Sequence, residues 1–371
     1  MKKAIVIGSG FSGCMFAMML KEKNWHVTVV EKSKITGGGV RTFYHGGHPF
    51  TYGPTHFIGP ESSRPAYDFL SKIVPMRYLK KKNYSYQQKD DFFAHYPMHE
   101  DDIKKLSDAD KIFKELKSLP EESQASNYED FWISKVGKTL YERFNKFYNL
   151  KAWNLKTNKV MNAGFEGTVK RKPLETGSKY EFHTGYINAY PLAGDGYNKF
   201  FDVSLKGCDV LLGKKIIKTD LDKTSVFLED NTKISADMII STISPDFLMD
   251  NCYGELAYVG RDFFKIVLPI ENLLPEDVFF LYYPNENEQQ TRVVEFKKLT
   301  RHKSPNTLIT MEVPSMKNKL YPTMIKSEVD KAQKYIEALP ENIKSVGRMG
   351  TYRYVDIDDI ILQGLEFKKN L

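Results

Sequence analysis

A short apolar strand that runs straight into a glycine-rich turn and then a helix constrains this chain more than any other feature. Lys2 to Ile7 is apolar and continuous, as a buried parallel strand is. GSGFSG, Gly8 to Gly13, comes at once, and Phe11 to Lys23 reads as a helix with Met15, Met18, Met19 and Leu20 on its apolar side. In a GxGxxG turn Gly8 makes the tight bend, Gly10 lets a pyrophosphate approach the backbone, and Gly13 lets the helix pack closely on the strand. The helix N-terminus then presents its positive dipole end to the phosphates. A second strand, His26 to Val30, ends at Glu31, 18 residues after Gly13, in position to accept hydrogen bonds from ribose hydroxyls. Strand, turn, helix, strand and acid together predict a dinucleotide site.

The next glycines favour FAD over NAD. ITGGGVRT, Ile35 to Thr42, lies four residues beyond Glu31, where many flavoproteins carry a second glycine motif along the pyrophosphate. The candidate cofactor contacts here are Gly8, Gly10, Phe11, Ser12, Gly13, Glu31, Lys32, Gly38 and Gly39. A third element, VGRMGTYRYVDIDD (Val346 to Asp359), precedes a helix, and its small and charged residues suit a phosphate and ribityl contact; Arg348, Tyr354 and Asp356 are the candidates in it.

The 371 residues suit two or three packed lobes, and 41% hydrophobic with 27% charged residues is ordinary for a globular protein. No apolar run is long enough for a bilayer, and the N-terminus leads into a strand without a cleavage site. Cys14, Cys208 and Cys252 are scattered and form no CxxC pair, so neither a disulfide framework nor a metal site is expected, and the expected location is cytoplasmic. The net charge of +7 and the run Lys80 to Lys82 read as solvated surface, with no nucleic-acid motif.

Along the chain, helices are expected at Pro65 to Ile73, Asp101 to Leu119, Tyr128 to Tyr148, Glu328 to Leu339 and Ile357 to Lys368. Lys170 to Gly185 reads as a loop and Val203 to Phe227 as short β segments. Strands are expected at Ala236 to Thr242, Phe263 to Ile270, Val278 to Tyr283, Thr291 to Phe296 and Thr307 to Val313, and Ser345 to Tyr354 as a strand with a glycine turn. The predicted fold is α/β: a Rossmann-like FAD-binding domain (1–65, 195–250 and 340–371) with an inserted helical lobe (66–165) and an antiparallel β-sheet lobe (166–194 and 251–339) carrying a mobile loop near 166–182.

GRMGTYRYVD resembles the C-terminal signature of the UDP-galactopyranose mutases, which read close to GRLGTYRYLD. GSGFSG resembles that family's first glycine motif, and YGPTHF (Tyr52 to Phe57) its YGPHIF. LYERFNKFYNLKAW (Leu140 to Trp153) resembles its helix ending in YTxKQW, and VKRKP (Val169 to Pro173) its KRLP on a mobile loop. Three departures fall around the nucleotide and sugar. Thr55 stands where the family's histidine follows YGP, KQWG becomes KAWN, and Phe182 lies where a tyrosine is expected, leaving Tyr180 beside it.

The resemblance implies an isomerase that interconverts pyranose and furanose forms of a nucleotide sugar, through a sugar adduct at N5 of reduced FAD, supplying furanose for surface polysaccharide. By position it implies that Arg171 and Arg292 meet the diphosphate, that Tyr148 stacks on the base, and that Trp153 lies near the sugar. Tyr321 and Tyr354 would contact phosphate, Tyr180 would take the loop tyrosine's place, Arg348 would lie beside the flavin, and His56 near its reactive edge. The implied partners are a UDP-, dTDP- or GDP-sugar, NAD(P)H or another reductant, and a second copy in a homodimer. Two other readings of the residues stay open: an amine-oxidase or desaturase-type oxidoreductase, and a flavin-binding protein without catalysis.

Overall fold

The computed structural model describes residues 1–53, 56–79, 82–163, 174–175, 188–275 and 278–371. Its first layer is a five-stranded parallel sheet in the order Asp209–Leu212, His26–Glu31, Lys3–Ile7, Met238–Ser241, Ile343–Ser345. In sequence order this is 3-2-1-4-5, the doubly wound pattern, whose direction reverses between the first and fourth strands. A ligand crevice is therefore expected beyond Ile7 and Ser241, where the GSGFSG turn lies. Helices Phe11–Lys21, Asn198–Leu205 and Ile357–Lys369 pack together on one face of the sheet around Met15, Met19, Phe200 and Ile361, all fully buried.

The second layer is a seven-stranded sheet in the order Tyr321–Pro322, Tyr258–Leu268, Thr307–Ser315, Arg292–Glu295, Val278–Tyr282, Lys82–Gln87, Phe92–His95. Its central strands are antiparallel, as the alternation in the sequence predicts. One stretch corrects the sequence reading. Residues 76–99, placed there within the helical lobe, form strands Met76–Leu79, Lys82–Gln87, Phe92–His95 and Met98–His99, and Lys82–Gln87 adds to the large sheet in parallel with Val278–Tyr282. Its alternation, with Asn83, Ser85 and Gln87 buried, uses polar residues on the inward face, so no apolar period announces it.

Two predicted helices are also broken. Asp101 to Leu119 splits into Glu100–Ile103 and Ala109–Lys117. Tyr128 to Tyr148 stops at Gly137, which adopts φ 79, and resumes as Lys138–Tyr141, a π-helical turn Glu142–Lys146, and Phe147–Ala152. Of the six residues at helical spacing in this stretch, Trp132, Val136, Leu140 and Phe144 enter the core of this lobe, whereas Phe131 and Phe147 are only half-buried. The widened π turn then rotates the last helical segment, and Tyr148 and Trp153 meet the large sheet and the C-terminal segment. The stretch read as β segments from Val203 opens as the end of helix Asn198–Leu205, and the glycine turn after Ile343–Ser345 is a single helical turn, Gly347–Gly350. Among the described residues, no helix is long and apolar enough to cross a membrane.

The tightest joint in the first layer is between Gly13 and Gly8. A Cβ at residue 13 would lie 1.9 Å from the Gly8 carbonyl oxygen, a backbone atom that cannot turn away. Gly13→Ala is therefore expected to cost about 2–3 kcal/mol in urea denaturation, as overpacking of a close helix–strand contact does. An unchanged unfolding midpoint would contradict this packing.

Candidate active site

The crevice at the switch point is a cavity of about 250 Å³. Gly10, Phe11 and Ser12 form one wall, Gly39 and Val40 another, and Tyr52, Gly53 and His56 a third. Thr242, Tyr321, Arg348 and Met349 close it from the far side. Two glycine segments are laced together to make this cradle. The Gly37 N–H donates to the Ser9 carbonyl at 2.7 Å, and a Cβ on Gly38 would stand 3.2 Å from the Gly10 Cα. Gly10 itself faces open space, with no atom within 4 Å of where its Cβ would be.

Glu31 fixes the shape of the first turn. One carboxylate oxygen accepts from the Ser9 N–H and the Ser9 hydroxyl, both at 2.8 Å, and the other from the Ser33 N–H at 2.8 Å. The Phe11 backbone lines the cavity, but its ring stacks on Phe200 in the core at 4.4 Å. Lys32 is exposed and does not line the cavity. The Gly347–Gly350 turn packs directly on the cradle: a Cβ on Gly347 would meet the Ser12 Oγ at 2.3 Å. Asp356 caps the closing helix in a reciprocal capping box with Asp359 and lies 3.5 Å from Arg348.

The same turn delivers Arg348 to the cavity. Its guanidinium donates twice to the Val355 carbonyl, at 2.9 and 3.1 Å, and lies 4.9 Å from the rings of both Tyr321 and Tyr354. Those two rings stack at 5.9 Å, and Trp153 stands edge-on to each, at 6.0 and 5.8 Å. The Trp153 indole N–H is anchored by Asn149 at 3.2 Å. Arg292 projects from the central sheet beside Phe280 and Tyr282 and is held by Glu312 at 2.7 and 3.1 Å. This pair is nearly dry, with side chains 13% and 2% exposed. Tyr148 packs against Tyr282 at 5.8 Å. The structure thus brings His56, Arg348, Tyr321, Tyr354 and Trp153 into one cluster, with Arg292 and Tyr148 along the adjoining wall. Arg171 and Tyr180 lie outside the described residues.

Sequence reasoning missed three contributors. Arg261, only 8% exposed, lies 5.0 Å over the Tyr321 ring and donates to the Gly260 carbonyl at 2.7 Å, and among the described residues no carboxylate pairs with it. Glu312 faces Arg292 across the sheet, a pairing that only the strand register reveals. Thr242 directly follows the fourth strand at the switch point, and its place could have been read from the end of ADMIIST.

His56 is half-buried as a residue, but its Nε2 is sealed from solvent and has no hydrogen-bond partner among the described residues. Burial first, then the Arg348 and Arg292 charges, push its pKa down to about 3 from an ordinary 6.5. It is neutral at physiological pH. Above pH 6.5 both folded and unfolded chains carry it neutral, and below 6.5 only the unfolded chain takes up the proton. His56 therefore removes stability from the apoprotein as pH falls from 6.5 toward 3, by at most about 1.4 kcal/mol per pH unit. His56→Asn is expected to lose less stability than wild type between pH 7 and pH 5 in urea unfolding. Equal losses would show that the imidazole titrates normally.

The profile of the UDP-galactopyranose mutase family matches residues 143–354, more than half of the chain, and that of the NAD(P)-binding Rossmann-like domain matches residues 6–73. The dTDP-fucopyranose mutase of Escherichia coli is 25% identical over 393 aligned positions, covering 99% of this chain and 97% of that protein. A crystal structure of reduced UDP-galactopyranose mutase superposes with a TM-score of 0.82 at 18% identity, covering 100% of this chain and 95% of the other. A 1-hydroxycarotenoid 3,4-desaturase of Flavobacterium is 37% identical, but over 83 positions and 22% of this chain. The family match spans more than half of the chain, and the chain belongs to the UDP-galactopyranose mutase family.

Proposed function

We propose that this enzyme is an FAD-dependent isomerase that interconverts the pyranose and furanose forms of a nucleotide-diphosphate sugar, UDP-galactopyranose or a related UDP-, dTDP- or GDP-sugar. The observation that carries this reading is that two dissimilar surfaces meet in one cavity. One is the glycine cradle of a dinucleotide. The other is Arg348 and Tyr321 on the cavity wall, backed by Tyr354, Trp153 and Arg261, a cationic and aromatic cluster suited to a second, phosphorylated ligand. A desaturase would need an apolar channel in that place, not buried guanidinium groups.

The residues present fit FAD. Gly10 leaves the backbone bare where a pyrophosphate would pass, and His56 presents an unpartnered buried nitrogen into the same space. The Gly10–Ser12 and Gly39–Val40 walls would hold the cofactor, and Glu31, whose carboxylate shapes the Ser9 turn behind them, would meet its ribose. When bound and reduced, the flavin supplies an electron-rich nitrogen able to attack an anomeric carbon.

The protein's own work is electrostatic. A nucleoside diphosphate must leave the sugar and return without escaping. Arg292 is aimed by Glu312, and Arg348 by the Val355 carbonyl, so neither spends entropy finding its place. In a site walled by Trp153, Tyr321 and Tyr354, each cation acts at lower dielectric than in water. Tyr321 and Tyr354 offer phenolic donors to the phosphates, and Tyr148 a face to the base. His56, held neutral, can pass a hydrogen bond to the cofactor or the sugar without adding a third positive charge. Arg171 and Tyr180 would complete the clamp from the loop, and NAD(P)H or another reductant would keep the flavin reduced. A homodimer is the proposed assembly.

A panel of nucleotide sugars, assayed by chromatography with oxidised and with dithionite-reduced protein, tests this reading. Conversion is expected with the reduced protein, without oxygen uptake. Steady turnover of the oxidised protein with oxygen consumption would favour an oxidoreductase. Within the active pair, Arg171→Ala is expected to lower kcat/KM by roughly 30- to 1000-fold, the equivalent of about 2–4 kcal/mol of charge-assisted binding, with unchanged FAD content. Normal kinetics would remove Arg171 from the clamp.

A further inference from the structure

Between Tyr148 and Trp153, the two aromatic residues assigned to the nucleotide and sugar, lies Lys151. It belongs to the short helix Phe147–Ala152. Its Nζ leaves that helix and donates to two backbone carbonyls of the 283–291 loop, Asn285 at 2.9 Å and Glu288 at 2.7 Å. That loop joins strand Val278–Tyr282, which ends in Tyr282, to strand Arg292–Glu295, which begins with Arg292. The loop is braced again by Asn285, whose amide donates to the Glu288 carboxylate at 2.7 Å and to the Tyr86 carbonyl at 3.2 Å. No carboxylate lies within ion-pair distance of Lys151 among the described residues, so two carbonyl dipoles hold its charge, with the Glu288 carboxylate acting on it from farther away.

One ammonium group therefore ties the element that carries Tyr148 and Trp153 to the hairpin that carries Tyr282 and Arg292. Tyr148 and Tyr282 already touch, edge to face, at 5.8 Å. We propose that Lys151 is a positioning residue that sets the width of the nucleotide pocket by pinning the 283–291 loop against the Tyr148 helix. This rests on the nucleotide-sugar reading above. Lys151 touches no reacting atom. It acts through Tyr148 on one side and Arg292 on the other.

The brace is titratable. Burial brings the Lys151 pKa down to about 8, against the opposing pull of Glu288, on the loop it holds. Deprotonation replaces two charge-assisted hydrogen bonds with ordinary ones of roughly half the strength. The pocket should loosen as pH rises through this range, where the substrate's phosphates no longer change charge.

Calorimetric titration of the FAD-loaded protein with UDP, dTDP and GDP, from pH 7 to pH 9, tests the proposal. The wild-type protein is expected to bind its preferred nucleotide about tenfold more weakly at pH 9 than at pH 7, the scale of one charge-assisted contact. Lys151→Met should bind weakly at both ends, with no pH dependence. Glu288→Gln, which keeps an acceptor for Asn285 but removes the opposing charge, should move the midpoint to lower pH. If Lys151→Met does not fold, the wild-type profile and the Glu288→Gln shift still decide. A wild-type affinity flat from pH 7 to 9, or a Glu288→Gln midpoint that does not move, overturns the brace. Failure of the wild-type protein to bind any of the three nucleotides overturns the nucleotide-sugar reading itself, and the brace with it.

Discussion

The site depends on how closely backbone can approach backbone at the end of the parallel sheet. Gly13 brings the first helix onto the Gly8 carbonyl, Gly38 brings the second glycine segment onto Gly10, and Gly347 brings the C-terminal turn onto Ser12. The first and third joints leave no room for a Cβ and the second would be tight with one, and together they converge three distant pieces of sequence on one crevice. The doubly wound strand order places that crevice where neighbouring crossovers diverge and leave the strand ends open. Arg348 reaches the cavity only because its turn is seated on Ser12. The second ligand's wall is therefore built on the first ligand's cradle.

Charge then differentiates the two halves. The cradle offers backbone N–H groups and a helix terminus. The opposite wall offers Arg261, Arg292 and Arg348, each stacked on aromatic rings. Partly buried guanidinium groups on rings are held without being fully neutralised, and such an arrangement is costly to keep unless an anion completes it. Arg292 carries its own carboxylate, Arg348 leans on a carbonyl and on Asp356 at 3.5 Å, and Arg261 donates to a carbonyl and has no carboxylate partner among the described residues. This graded set gives a diphosphate something to move against as it departs and returns. Burial first, and then the charges of Arg348 and Arg292, keep His56 neutral.

The parts of this architecture that obey local rules were legible in the sequence. GSGFSG, Glu31 and ITGGGVRT are local because their chemistry is backbone chemistry, and GRMGTYRYVD carries a family pattern dense enough to place Arg348 and Tyr354. The apolar period of the helical lobe pointed to Phe131, Trp132, Val136, Leu140, Phe144 and Phe147, of which Trp132, Val136, Leu140 and Phe144 are core. The failures have physical causes. Residues 82–87 bury Asn83, Ser85 and Gln87, so a strand in the large sheet presents no apolar alternation. The break at Gly137 and the π turn after it cannot be seen in a period that continues across them. Arg261 and Glu312 matter only through partners on other strands, and Lys151 only through two backbone carbonyls more than a hundred residues away.

If the bond between the anomeric carbon and the diphosphate breaks and re-forms inside a closed, cationic site, positional isotope exchange reads that event most directly. A nucleotide sugar labelled with ¹⁸O in the bridging anomeric position would be incubated with dithionite-reduced enzyme and followed by ³¹P NMR. The label is expected to scramble into the non-bridging oxygens of the β-phosphate while pyranose and furanose forms equilibrate. Ring interconversion with the label still entirely in the bridging position would contradict this mechanism.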